Sequence, residues 1–277
     1  MVSQKSISLS KKGIIYFFSG TGNTYFISKE FVKLFQEKNI FVELKPIEEI
    51  TSVSSQAEYD FIGIGYPVYA WKPPPFIKTF LEKLPSVQNK PCFVFCTAGS
   101  TIGSGIDVSY KILNSKHYDI KGTFCYIMPE NLNFLFGLDV ESETKQQNKI
   151  KYAQEKLKKD FNDLLENKAQ IKKPNFLRTT FTSIWNFCAY NFIFNKQKWV
   201  IDYTKCNQCG LCEKICPTKN IVLKKQKHEI KFGNNCWFCT RCYNFCPQKA
   251  INYKNINKTN KYGRYVYFKK DFDKIKI

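Results

Sequence analysis

The stretch "FFSGTGNTYFISKEF", residues 17–31, decides how the first half of this chain folds. It follows Gly13-Ile-Ile-Tyr-Phe-Phe18, a continuous apolar run of strand length, and leads into Asn23–Lys38, where Phe26, Ile27, Phe31, Leu34 and Phe35 recur at helical spacing. The pattern is strand, turn, helix. The turn is not a Walker A loop, because no Gly-Lys-Ser/Thr closes it, and it is not a dinucleotide fingerprint, because Tyr25 stands where the third glycine is needed. What Ser19-Gly20-Thr21-Gly22-Asn23-Thr24 does offer is three hydroxyls, two glycines and a set of backbone N–H groups at a helix N-terminus. Such a turn cradles an anion without needing a lysine.

Further strands are expected at Ile40–Leu44, Tyr59–Gly65, Pro91–Thr97 and Gly122–Met128. Helices are expected around Pro75–Leu84, Gly105–Ser115 and Glu141–Asn167, the last with a solvated Lys/Glu/Gln face. Strand–helix alternation implies an α/β fold, a doubly wound parallel sheet covered on both faces. Ligands in such folds sit beyond the carboxyl ends of the strands. There the chain places the anion turn, the proline-stiffened loop Gly65–Pro75 with Tyr66, Tyr69 and Trp71, and the small glycine-rich loop that starts Thr97-Ala98-Gly99. The three aromatics could hold a flat ring, and the last loop allows close backbone approach to a ligand edge.

Charge and cysteine concentrate in the other half. Residues 196–277 carry nineteen Lys/Arg against five Asp/Glu, which is +14 of the chain's +20, and eight of the twelve cysteines lie between positions 206 and 246. The polar N-terminus is followed by an apolar run too short for a signal-peptide core, and no run has the length of a membrane span. The expectation is a soluble, cytoplasmic protein whose cysteines stay reduced for metal or redox work. Cys206-x2-Cys209-x2-Cys212-x3-Cys216-Pro217 is repeated 30 residues later as Cys236-x2-Cys239-x2-Cys242-x3-Cys246-Pro247, and Lys219-Asn-Ile221 answers Lys249-Ala-Ile251. Paired four-cysteine zinc sites also use C-x2-C spacing, but zinc has no need of the third cysteine or of the proline after the fourth in both copies. Cys92, Cys96, Cys125 and Cys188 read as buried packing residues. His117 and His228 have no partner motif.

The repeated run resembles the bacterial two-cluster ferredoxins, and Ser19–Thr24 resembles the FMN phosphate loop of flavodoxins. From Gly13 to about Tyr253 the chain resembles the flavodoxin–ferredoxin fusion proteins of anaerobes. The resemblance implies FMN, with Ser19, Gly20, Thr21, Gly22, Asn23 and Thr24 around its phosphate and Tyr66, Tyr69, Trp71, Thr97, Ala98 and Gly99 around its ring. It implies two [4Fe-4S] clusters, with the fourth cysteine of each run crossing over. Cys206, Cys209, Cys212 and Cys246 would hold one cluster, and Cys236, Cys239, Cys242 and Cys216 the other.

The implied organisation is a flavodoxin-like domain over residues 1–173, an aromatic helical linker over 174–200 and a small α+β bicluster domain over 201–277. In the linker Phe181, Ile184, Trp185, Cys188 and Phe192 recur every three or four residues, which predicts one wet and one dry helical face. The dry face is expected to pack on a neighbouring domain, with a membrane surface or a partner groove as alternatives. The functional expectation is intramolecular electron transfer between FMN and the clusters and on to external redox partners. A flavin-dependent reductase fed by the clusters is the alternative. The family is commonly acidic and this tail is basic, so an acidic redox partner would be steered towards it. The tail contains no recognisable nucleic-acid-reading module.

Overall fold

The computed structural model describes residues 12–50, 58–132, 139–193, 199–224, 226, 228–253 and 263–267. By contacts the chain divides into two units. One comprises Met1–Ser19, Asn23–Pro129 and Thr144–Phe187, and the other Gly20–Gly22, Glu130–Glu143 and Cys188–Ile277.

The first unit is built on five parallel strands: β1 (Lys12–Phe17), β2 (Phe41–Pro46), β3 (Phe61–Pro67), β4 (Lys90–Ala98) and β5 (Tyr118–Ile127). Their order is β2-β1-β3-β4-β5, the flavodoxin-like doubly wound order, whose switch point lies between β1 and β3. β1, β3 and β4 are buried almost throughout, as strands covered on both faces must be. β5 instead alternates buried and half-buried residues along its whole length, as an edge strand does. Its first residues, Tyr118–Lys121, lie outside the expected strand because an edge strand alternates buried and half-buried positions and forms no continuous apolar run there. A bulge at Cys92/Phe93 brings them into register.

The helices are α1 (Asn23–Gln36), α2 (Pro75–Lys83), α3 (Asp107–Ser115), α4 (Glu143–Leu165) and α5 (Phe176–Cys188). α1 buries Phe26, Ile27, Phe31 and Phe35, the stripe its sequence predicts. Phe31 packs its ring 5.1 Å from Phe93 and 5.0 Å from Phe95, and Phe35 lies 4.9 Å from Phe61 and 4.8 Å from Phe161 of α4. These rings need room in the sheet, and Gly65 supplies some of it: a Cβ there would sit 2.2 Å from the Phe95 ring. Rings of this size fill much of the core between α1 and the sheet.

In the second unit the elements are short. β6 (Trp199–Ile201) pairs antiparallel with β9 (Ile251–Tyr253), β7 (Ile221–Lys224) pairs with β8 (Glu229–Phe232), and the helices α6 (Leu211–Lys214) and α7 (Arg241–Phe245) run a single turn each. The sequence repeat is also a backbone repeat. Gln208 and Phe238, Gly210 and Thr240, and Lys219 and Lys249 are all left-handed, with φ between 50 and 75°, and each pair is 30 residues apart.

Candidate functional site

Each Cys-x2-Cys-x2-Cys run winds from a left-handed residue into one turn of helix, so its three thiols splay around the loop. The fourth cysteine follows the helix, and there the two copies exchange. One pocket is lined by Cys236, Cys239, Cys242 and, from the other run, Cys216, together with Trp199, Pro217, Trp237 and Arg241. The second is lined by Cys206, Cys209, Cys212 and the exchanged Cys246, with Leu211, Ile230, Pro247 and Ile251. All eight thiols are free of disulfides.

The backbone already addresses these sulfurs. The N–H of Asn220 donates to Cys216 Sγ (3.2 Å), and that of Ala250, its counterpart 30 residues on, to Cys246 Sγ (3.3 Å). Phe238 N–H donates to Cys236 Sγ (3.3 Å). Donors aimed at sulfur favour a thiolate that carries metal charge. Burial works the other way in the iron-free protein: it pushes the Cys239 thiol up to about 12 and the Cys212 thiol up to about 11, and holds Cys242 well above its ordinary value. These thiols are therefore protonated at neutral pH, and loading must release their protons. Among the described residues no three His, Cys, Asp or Glu side chains converge on the position of a single ion. Each set of four sulfurs lines a pocket, a donor set that fits an iron–sulfur group.

The pockets differ in charge. Arg241 lies between two of the cysteines, is only 2% exposed and lines the first pocket. Arg264 stacks its guanidinium 3.3 Å above the Tyr243 ring and donates to the Ile251 carbonyl (2.9 Å). Burial lowers it to about 10, with Cys242 pulling it back up, so it stays charged at neutral pH. Neither arginine stood out by motif spacing, although Arg241 sits inside the Cys239-Thr-Arg-Cys242 run.

In the first unit, β1 ends at the switch point and α1 begins at Asn23. Asn23 Nδ2 donates to the Pro129 carbonyl (2.9 Å), and the Thr24 and Thr97 hydroxyls share a hydrogen bond (2.8 Å), so the turns after β1 and β4 are tied together. Gly22 adopts φ +104°, which disfavours any side chain. Within the second unit, Asn131 Nδ2 donates to Thr21 Oγ1 (2.7 Å) and Tyr267 N–H to the Thr21 carbonyl (2.8 Å). The Tyr267 carbonyl stands 2.3 Å from where a Gly22 Cβ would be. The turn is thus glycine-lined and hydroxyl-bearing, with Gly22 packed on the Tyr267 backbone.

The aromatic loop is built differently from the expectation. Tyr66 is fully buried, and its hydroxyl donates to the Gly105 carbonyl (2.9 Å) and pairs with Ser109 of α3 (2.6 Å), so it packs inside the unit. Tyr69 is buried as well. Ala70 and Trp71 form a two-residue reversal closed by backbone hydrogen bonds between Tyr69 and Lys72, both with positive φ (47° and 67°). That is strained for non-glycine residues. The Trp71 ring lies 5.2 Å from Trp185 and 6.1 Å from Phe181 of α5. Thr97 and Ala98 are buried at the end of β4, and the Gly99 carbonyl accepts from Lys149 Nζ (2.8 Å), a lysine that sequence reasoning did not single out.

Residues 205–251 match the family model of the 4Fe-4S dicluster domain. Similar solved structures include a flavodoxin from the domain Archaea (14% identity, 53% of this chain and 99% of that one, TM-score 0.37), the Megasphaera elsdenii flavodoxin (24%, 42% and 85%, TM-score 0.38) and flavodoxin 2 from Bacillus cereus (16%, 51% and 94%, TM-score 0.37). No curated protein matches. The strand order and the dicluster match together describe a flavodoxin-like sheet followed by a ferredoxin-like segment, in keeping with a flavodoxin–ferredoxin fusion.

Proposed function

We propose that this chain relays electrons between FMN and two [4Fe-4S] clusters and delivers them to, or draws them from, external redox proteins. The observation that carries the reading is the exchange of Cys216 and Cys246 between the two pockets, since that exchange answers the ligand pattern of two-cluster ferredoxins. Bound clusters exchange one electron each and a bound flavin one or two, so the pairing links carriers of different electron count.

The chain's own residues set position and electrostatics. Eight thiolates would hold the clusters, while the N–H groups of Asn220, Phe238 and Ala250 orient three of those sulfurs. The glycine turn Ser19–Thr24 would take the flavin's phosphate at the N-terminus of α1. Around the ring, contact is expected from Tyr69, Trp71 and the Thr97–Gly99 segment, whereas the Tyr66 hydroxyl is held inside the unit by Gly105 and Ser109. The basic tail favours a partner with an acidic face, and a cytoplasmic, reducing location suits eight unbridged thiols.

Anaerobic reconstitution with iron, sulfide and FMN tests the reading. About eight irons and one flavin per chain, with flavin and cluster absorbance bleaching in a linked reductive titration, are expected. Clusters without flavin would reduce the first unit to a docking module.

A further inference from the structure

Helix α5 is mounted the wrong way round for a helix of a globular protein. Its sequence has one polar and one apolar face, and it is the polar face that grips the first unit. Arg178 binds the fully buried Asp107 carboxylate through two nitrogens (2.7 and 3.3 Å), and Thr179 Oγ1 donates to the same carboxylate (2.6 Å). Thr182 pairs with Ser104 (2.5 Å), Ser183 Oγ accepts from Lys72 Nζ (2.6 Å), and Asn186 Nδ2 donates to the Tyr69 and Ala70 carbonyls (3.3 and 3.1 Å). Positions 178, 179, 182, 183 and 186 are one helical face, and Thr182 is the helix's buried residue.

The opposite face carries Phe176 (80% exposed), Leu177 (77%), Phe181, Ile184 and Phe187, with the half-exposed Trp185 at its margin. A row of large apolar side chains held outward by five polar anchors marks an interaction surface. The charge around it indicates what covers it. Residues 167–201 contain six Lys/Arg and no Asp or Glu, and Lys172 and Lys173 stand immediately before the helix. Arg178 is neutralised by Asp107, which leaves lysines at the flanks and Phe, Leu, Ile and Trp on the face. That distribution is the one by which a helix lies in the headgroup region with its apolar side in the acyl boundary. Among the described residues no helix is long and apolar enough to cross a membrane, so attachment would be from one side.

We propose that α5 attaches this protein to the surface of an anionic lipid bilayer. The proposal is independent of the redox reading, because it rests on the mounting and surroundings of one helix.

Flotation of the intact, iron-loaded protein with vesicles of phosphatidylcholine, with and without phosphatidylglycerol, tests it. The wild-type chain should float with the anionic vesicles and less with the neutral ones, with added salt weakening the difference. Phe181→Glu with Ile184→Glu should lower partitioning by at least about tenfold. Should that pair disturb folding, judged by far-UV circular dichroism and iron content, Phe176→Ser with Leu177→Ser at the two most exposed positions serves in its place. Three results would overturn the proposal. One is a wild-type protein that does not float. Another is a substituted protein that floats as well as wild type, which would assign binding to the basic tail. The third is a wild-type dimer that these substitutions dissociate, which would give the face to a second copy of the chain.

Discussion

The two units reach stability by different routes. The first closes a five-stranded sheet over interlocked rings of Phe31, Phe35, Phe61, Phe93, Phe95 and Phe161. The second has strands of three or four residues and single-turn helices, with Ile215 and Phe245 in one small cluster and the rings of Trp199, Phe238, Tyr243 and Tyr253 packed in another. Its eight cysteines line the space where a larger core would be. A domain this small needs staples, and bound iron–sulfur groups would supply them. Metal binding and folding would then be one equilibrium in the second unit and separate in the first, which is an expectation that iron removal tests.

Removing iron should break that comparison open most widely. Anaerobic chelation is expected to expose the amides of residues 199–253 to hydrogen exchange while those of β1, β3 and β4 stay protected. Equal protection in both units would mean that the small unit stands on its own contacts.

Cys216→Ser sharpens the picture inside the small unit. It should remove about four of eight irons, and the lost spectroscopic signal should be the one that Cys239→Ser also removes. Loss of the signal that depends on Cys209 would refute the exchange of fourth cysteines.

For the first unit the corresponding weak point is polar. Asp107→Ala leaves the Arg178 guanidinium without its buried partner and should cost about 3–5 kcal/mol in chemical denaturation, with iron content unchanged.

The two pockets can be compared through Arg241, whose charge is buried beside one of them. Charge at about 6 Å with an effective dielectric of about 20 is worth roughly 3 kcal/mol, so Arg241→Gln should lower one cluster's potential by on the order of 100 mV and leave the other in place. Arg241→Lys should retain most of the potential. A uniform shift of both clusters would argue for a global change.

The smallest effect expected is local. Gly22→Ala forces a side chain into φ +104° and against the Tyr267 carbonyl, at about 1–2 kcal/mol, and should weaken flavin binding in a fluorescence titration.

Much of this was legible in the residues. Apolar runs with period zero and stripes with period 3.6 placed β1–β4 and α1–α4 to within a few positions, because both faces of this sheet are covered and the helices bury continuous stripes. Cysteine spacing marked all eight pocket residues, since ligand geometry is local to each loop.

What the chain alone determined are the periods, the turns and the ligand spacing, all set by neighbours within a few residues. Only the tertiary structure decided which side of a pattern faces inward. The repeat in α5 predicted a dry face against the protein, yet the polar face is inside, because Asp107, Ser104 and the Tyr69 and Ala70 carbonyls, up to 117 residues away, need partners there. Tyr66 turned inward for the same reason, drawn by Gly105 and Ser109. Periodicity defines a face, and the unsatisfied groups it meets across the fold decide where that face points.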